Sequence, residues 1–154
     1  MNCEFMNYEL FLKKAAALCS RAEYCESQIE EKLRRWGADE EETARIIAKL
    51  IDEKYIDNER YCRAFVNDKF RYAHWGRMKI RQALRFQGLP DGAVSEALLE
   101  IDEEEYLQTL KKILDAKARS LHDTDPYVRR AKLVRHAASK GFESDLIFSL
   151  LSDD

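Results

Sequence analysis

Ile29-Glu-Glu-Lys-Leu33-Arg-Arg-Trp-Gly37-Ala-Asp39-Glu-Glu-Glu42 decides how this chain is built. Two apolar residues four apart run into a glycine, and a D-x-x-E helix-start signal follows at once. The same setting returns at Ile80, Leu84 and Gly88, and again at Leu133, Ala137 and Gly141. The glycines stand 51 and 53 residues apart. Nine and ten residues beyond them lie Ile46/Ile47, Ala97/Leu98 and Leu150/Leu151. Self-similarity at a fixed period is the signature of a repeat protein. A glycine just past a helix end takes the left-handed conformation that stops the helix cheaply. Each glycine therefore reads as a helix–turn–helix junction, and the chain as three copies of one small helical unit.

Helical spacing runs through almost the whole chain. Phe11, Leu12, Ala15, Ala16, Leu18 and Cys19 form one stripe, and Thr43, Ile46, Ile47, Leu50 and Ile51 another. Tyr61, Cys62, Phe65, Val66, Phe70 and Ala73 share a face. So do Tyr106, Leu107, Leu110, Ile113, Leu114 and Leu121 in the third copy, followed by Tyr127, Ala131, Val134 and Ala138. Recurrence at i, i+3, i+4 and i+7 means an apolar face that must be buried. No segment shows sustained strand alternation. Nine helices are expected, near 7–20, 25–36, 39–54, 58–73, 76–87, 91–102, 103–120, 125–140 and 143–151. Asp125-Pro126 places a capping acceptor before a proline suited to a first helical turn. The expected fold is all-α: three tandem three-helix, helix-turn-helix-like repeats over 7–56, 57–102 and 103–154. A unit of about fifty residues has little core of its own. The units should therefore lean on one another through shared apolar contacts, as an elongated curved array. Tyr55–Glu59 and Asp102–Glu105 are the candidate hinges.

The 154 residues are 45% hydrophobic and hold only 5 Gly and 2 Pro, too few for a β-rich or disordered chain. With a net charge of −3, the chain lacks the overall basicity of a general nucleic-acid binder. Cys3, Cys19, Cys25 and Cys62 form no C-x-x-C pair and stand near no histidine at ligand spacing, which argues against zinc. Glu4, Glu9, Lys13 and Lys14 interrupt what a secretory leader would need as its apolar region. No stretch is apolar enough for a membrane span. The simplest expectation is a soluble cytosolic protein with reduced thiols. His74, His122 and His136 are far apart, with no nucleophile beside them and no phosphate-binding glycine loop. No catalytic residue, metal or cofactor is expected.

Charge is segregated. From Lys69 to Pro90 the chain carries Lys69, Arg71, Arg77, Lys79, Arg81 and Arg85 and no acid. From Asp91 to Glu105 it carries seven acids and no Lys or Arg. The third copy repeats this more weakly, with Arg129, Arg130, Lys132, Arg135 and Lys140 on its middle helix. Arg77, Arg81 and Arg85, four apart, make a ridge beside the Ile80/Leu84 face. Such a ridge either grips phosphates or an acidic protein surface through forked hydrogen bonds, or is a solvated face balanced by the next helix. Trp75, just before that helix, is read as an exposed anchor beside the arginines. In a groove-reading helix–turn–helix the second helix enters the DNA. Here that helix is the acidic one, with Asp39, Glu40, Glu41, Glu42, Asp52 and Glu53 in the first copy, and phosphates repel it.

These residues carry a family likeness. Ser20-Arg-Ala-Glu-Tyr-Cys25, with Gln28-Ile29, Lys32-Leu33 and Gly37, resembles the S-R-x-E-Y-S-x-x-E-L-x-x-K-L-x-x-x-G signature of RecX regulatory proteins. Tyr55-Ile-Asp-Asn58, Arg60-Tyr61 and Ala64-Phe65-Val66 resemble that family's Y-[IL]-D-D-x-R-[FY]-A-x-x-[FY]-V. Trp75-Gly76, Lys79-Ile80, Leu84 and Gly88 follow its next stretch. The likeness covers about residues 10–101. Cys25 stands where the family usually has Ser, so a weaker capping box with Gln28 is expected, at a cost of about 1 kcal/mol. Asn58 replaces the second Asp, leaving Asp57 or Asn58 to cap the fourth helix.

The resemblance implies a non-enzymatic regulator of the RecA recombinase. It would lie along the RecA–DNA filament and inhibit filament growth, ATP turnover and strand exchange. The expected contact residues are Arg77, Lys79, Arg81, Arg85 and Trp75, with Arg129, Arg130 and Arg135 second. The expected partners are the RecA filament and single-stranded or duplex DNA, with the chain a monomer. A stand-alone DNA binder using the same ridge, and a helical scaffold for an unrelated protein, are the alternatives.

Overall fold

Each repeated glycine ends a helix in the left-handed region, with φ of 100° at Gly37, 87° at Gly88 and 98° at Gly141. The residue after it then reaches back with its N–H: Ala38 to the Leu33 carbonyl at 2.9 Å, Leu89 to Leu84 at 3.1 Å and Phe142 to Ala137 at 3.3 Å. This is the Schellman closure, in which a hydrophobic contact accompanies the backbone bond. Ala38, Leu89 and Phe142 are all buried, as are Leu33, Leu84 and Ala137. The apolar residue four before each glycine thus has two tasks: it packs in the core and supplies the carbonyl that closes the turn.

The structure, a computed structural model, describes the backbone of residues 2–152 and the side chains of residues 7–152. The side chains of Cys3 and Glu4, and the last two residues of the third unit, lie outside what it describes. The described helices are α1 (Asn2–Arg21), α2 (Glu26–Arg35), α3 (Glu40–Asp52), α4 (Asn58–Arg71), α5 (Arg77–Phe86), α6 (Asp91–Leu99), α7 (Glu103–Ser120), α8 (Pro126–Ser139) and α9 (Ser144–Ser152). The described residues include no strand. Among the described residues, helices pack closely only within the trios α1–α3, α4–α6 and α7–α9. The chain exposes 10002 Å². A compact chain of its 18.1 kDa would expose roughly 8,100 Å², so the array is elongated.

Short polar side chains fix the helix starts. Asp39 accepts from the Glu42 N–H at 2.7 Å while Glu42 returns to the Asp39 N–H, a capping box. Asp57, rather than Asn58, caps α4 through the Arg60 N–H at 3.0 Å. Asp102 caps α7, and Asp125 caps α8 with Pro126 in its first turn. Neither expected hinge is an uncapped gap: Arg60 holds the Lys54 and Tyr55 carbonyls, and Asp102–Glu105 is the first turn of α7.

The apolar interior corrects one expectation. Units two and three do share a core, from Tyr61, Phe70 and Leu84 through Tyr106 and Leu114 to Phe142 and Ile147. Unit one keeps its own, built on Ile29, Leu33, Ile46, Leu50 and Ile56. It meets unit two through polar groups: Ser27 donates to the Gln87 carbonyl at 2.9 Å and Arg60 pairs with Glu23, while Tyr61, within unit two, donates to Gln87 Oε1 at 2.6 Å. Cys25 is the apolar exception. It opens α2 yet is 1% exposed and belongs to the core of unit two. Gln28 closes its half of the cap at 3.0 Å, while the thiol turns toward Ser27 Oγ and, at 3.8 Å, Gln87. Burial across the junction offsets the weaker cap.

A second correction concerns α8. The stripe Tyr127, Ala131, Val134 and Ala138 was expected to face the core. Instead Leu133 and Ala137 turn inward, and Tyr127 is 82% exposed. Ala131 and Ala138 are exposed and Val134 half-buried.

Candidate functional site

The basic helix α5 begins at Gly76, its N-cap, which has no side chain to satisfy the orphan N–H groups of the first turn. Unit three supplies the acceptors. Gly76 N–H donates to the Lys140 carbonyl at 2.7 Å, and Met78 N–H to the Gly141 carbonyl at 3.0 Å. The Arg77 N–H takes the Tyr106 hydroxyl at 3.0 Å. The positive end of α5 therefore sits on the negative end of α8, a favourable meeting of helix dipoles. The approach is so close that a Cβ on Gly76 would collide with the Gly141 carbonyl, and one on Gly141 with Lys79. Both positions need glycine for lack of room, and Gly141 also for its φ.

Arg77 locks the same place. Its guanidinium pairs with Glu143 at 2.6 Å and with Glu103, and it lies 3.8 Å over the Tyr106 ring. Tyr106 in turn donates to Glu143. Burial, then the Glu143 hydrogen bond, push the Tyr106 hydroxyl far above its ordinary range. Phe70, Tyr106 and Phe142 continue the cluster as packed rings at 5.8 and 5.0 Å.

Helix geometry explains why the ridge divides. Four residues turn an α-helix by about 400°, so each step of four drifts about 40° around the axis. Arg77 starts near the core, Arg81 is half-buried and Arg85 is exposed. Arg81 donates to Ser95 Oγ at 3.1 Å, and Arg85 pairs with Asp91 at 2.9 Å, both partners exposed. An ion pair of that kind is worth only about 0–1 kcal/mol and is easily exchanged for another. Lys79 lies on the opposite flank. Its ammonium is 4.4 Å from the centre of the Trp75 ring, with Lys69 at 4.8 Å. Trp75 is half-buried, edge-on to Phe65, so lysines rather than arginines flank it.

Lys79, Arg81 and Arg85 line, with Met78 and Gln82, a groove of about 520 Å³ that ends on Ala138 and Ser139 of α8. Of the third-unit cations, Arg129 turns inward to hold the Ala118, Leu121 and Asp123 carbonyls at 3.1–3.2 Å, closing the end of α7. Arg130 and Arg135 are exposed. Arg77 and Arg129 are thus spent within the protein, and the outward-facing cations are Lys79, Arg81 and Arg85, with Arg130 and Arg135 farther along.

Sequence reasoning did not single out Met78, Gln82 and Phe86. They share the outer face of α5, and Phe86 is 93% exposed. Their spacing of four, opposite Ile80 and Leu84, was the available signal. Among the described residues no His, Cys, Asp and Glu gather as a metal site, and no helix is long and apolar enough to cross a membrane.

Known proteins resemble this chain along most of its length. Family models for the first, second and third three-helix domains of RecX match residues 12–50, 57–98 and 103–151 in order. A protein from Clostridium botulinum (strain Eklund 17B), named regulatory protein RecX, is 31% identical over 83% of this chain and 60% of its own length. One of the same name from Prosthecochloris aestuarii is 29% identical over 92% of this chain and 91% of its own. The chain spans only 45–60% of the length of several curated relatives, the Clostridium protein among them. The crystal structure of RecX from Lactobacillus salivarius superposes with a TM-score of 0.85 over 96% of both chains at 22% identity, a likeness of fold. With the three domains matched in sequence order around the three glycine junctions, the chain belongs to the RecX family of regulatory proteins.

Proposed function

We propose that this chain regulates the RecA recombinase by lying along the RecA–DNA filament and slowing filament growth, ATP hydrolysis and strand exchange. It acts as a monomer in the cytosol, without catalysis of its own, through the three units 7–56, 57–102 and 103–154. The observation that carries the reading is the outward cationic edge of α5 in a chain of this family. The exposed Arg85 and the half-buried Lys79 and Arg81 line a groove that crosses from unit two to unit three. An elongated body spreads many weak contacts along a fibre, and their sum gives useful affinity.

Stand-alone DNA binding is the second reading, favoured by those same three cations. Three phosphate contacts would give a salt slope of about −2.7, a loss of roughly fortyfold between 50 and 200 mM salt. Titration into RecA with DNA, and into DNA alone, at both salt concentrations separates the two. Inhibition of RecA ATP hydrolysis together with negligible affinity for bare DNA supports the filament reading. Tight, salt-steep binding to DNA alone with no effect on RecA overturns it.

A further inference from the structure

The third unit presents an exposed apolar and basic face, apart from the α5 edge. Tyr127, Ala131 and Val134 recur at i, i+4 and i+7 along α8, the spacing of a buried stripe, yet among the described residues Tyr127 and Ala131 are exposed and Val134, which also touches the core, is only half-buried. With Phe148 of α9, which is 45% exposed, they enclose a groove of about 380 Å³. Its remaining lining among the described residues is Arg130 and Arg135, with no acid among them. Neither arginine makes an ion pair among the described residues, although Lys132 on the same helix is paired with Asp123. The Arg130 guanidinium rests 5.7 Å over the Phe148 ring, at the groove's edge.

An apolar floor with two unpaired arginines at its rim has a definite complement. The floor takes one bulky apolar side chain, and each guanidinium takes a carboxylate through a forked, charge-assisted bond. A nucleic acid strand fits less well. It needs a row of cations tracking a backbone, and here only two arginines line the groove among the described residues. We propose that this groove docks an acidic peptide segment of a partner protein, anchored by a single aromatic or leucine side chain between α8 and α9. The site does not depend on filament binding.

Fluorescence anisotropy with the full chain tests it. The probe is a labelled acidic peptide with a central phenylalanine. The controls are the same peptide with serine at its centre, and an oligoglutamate. The phenylalanine peptide should bind at least about tenfold more tightly than either control, a difference of about 1.4 kcal/mol. Arg130→Glu with Arg135→Glu, and separately Phe148→Ser, should each weaken it at least about tenfold. These positions are exposed, so folding is spared, and Arg85→Glu on α5 should leave binding unchanged. Equal binding of oligoglutamate, an equal loss in the α5 variant, displacement of the peptide by single-stranded DNA, or groove-dependent self-association in sedimentation would each overturn the proposal.

Discussion

Gly76→Ala isolates the contact that holds units two and three together. Gly76 has a φ of −79°, which alanine adopts without strain. Were the units merely strung together, the change would be near neutral. Losing glycine's freedom in the unfolded chain gains about 0.4–1 kcal/mol, and alanine's poorer performance at an N-cap returns a similar amount. In the folded array the new methyl has no space, because the Gly141 carbonyl and the Phe142 N–H occupy it. The backbone of a second unit cannot yield as a flexible side chain would. Either the junction opens and surrenders the Gly76–Lys140 and Met78–Gly141 hydrogen bonds, each worth about 1 kcal/mol, or it stays closed under about 1–3 kcal/mol of overpacking. The protein takes the cheaper route, so we expect a loss of about 1–2 kcal/mol, a fall in melting temperature of roughly 2–8 °C, followed by circular dichroism. Gly92→Ala is the control. It lies in α6 with open space around it, and should be stabilising by about 0.5–1 kcal/mol. A Gly76→Ala protein as stable as the parent would refute the docked junction, and with it the groove that spans the two units.

Other perturbations probe neighbouring links. Arg77→Met strands Glu103 and Glu143 and should cost about 2 kcal/mol in urea unfolding, below the range for a fully buried pair because the arginine side chain keeps 22% of its exposure. Gly37→Ala meets no clash but must hold a φ of 100°, so about 1 kcal/mol is expected from backbone strain alone. Alkali should unfold the protein in steps set by buried groups. Burial pushes the Cys62 thiol from 9.0 to about 11 and the Tyr61 hydroxyl from 10.0 to about 12. Because the folded form holds these protons more tightly than the unfolded chain, stability is complete below about pH 9 and falls as pH rises toward 12. Urea midpoints at pH 8, 10 and 11 should decline in that order, and Cys62→Ala should flatten the first part of the decline.

The three-unit plan could be read from the chain because its signals are local. A glycine, the apolar residue four before it and the acid after it all act within one turn of backbone, so Gly37, Gly88 and Gly141 announce themselves. Helix starts at Asp39 and Asp125 were legible for the same reason, and that of α4 was narrowed to Asp57 or Asn58, whereas Asp102–Glu105, the capped first turn of α7, was read as a hinge. What escaped depends on partners far along the sequence. Nothing near Gly76 says that Gly141 will lie against it, and the four-residue spacing of Arg77, Arg81 and Arg85 gives no hint that the first is claimed by Glu103 and Glu143. The stripe on α8 shows the limit of periodicity. Spacing reveals that a face is apolar, but only tertiary packing decides whether Tyr127 is covered. Cys25 is the converse case: judged by its own turn it is a poor cap, and its value appears only where unit one meets unit two.

The most direct measurement compares inhibition of RecA-driven ATP hydrolysis by the parent and by the Arg81→Glu, Arg85→Glu double variant, with helical content checked by circular dichroism. The account predicts markedly weaker inhibition at unchanged helicity, because these side chains face outward and carry little of the fold. Undiminished inhibition by a folded double variant would contradict it and take the α5 edge out of the interface.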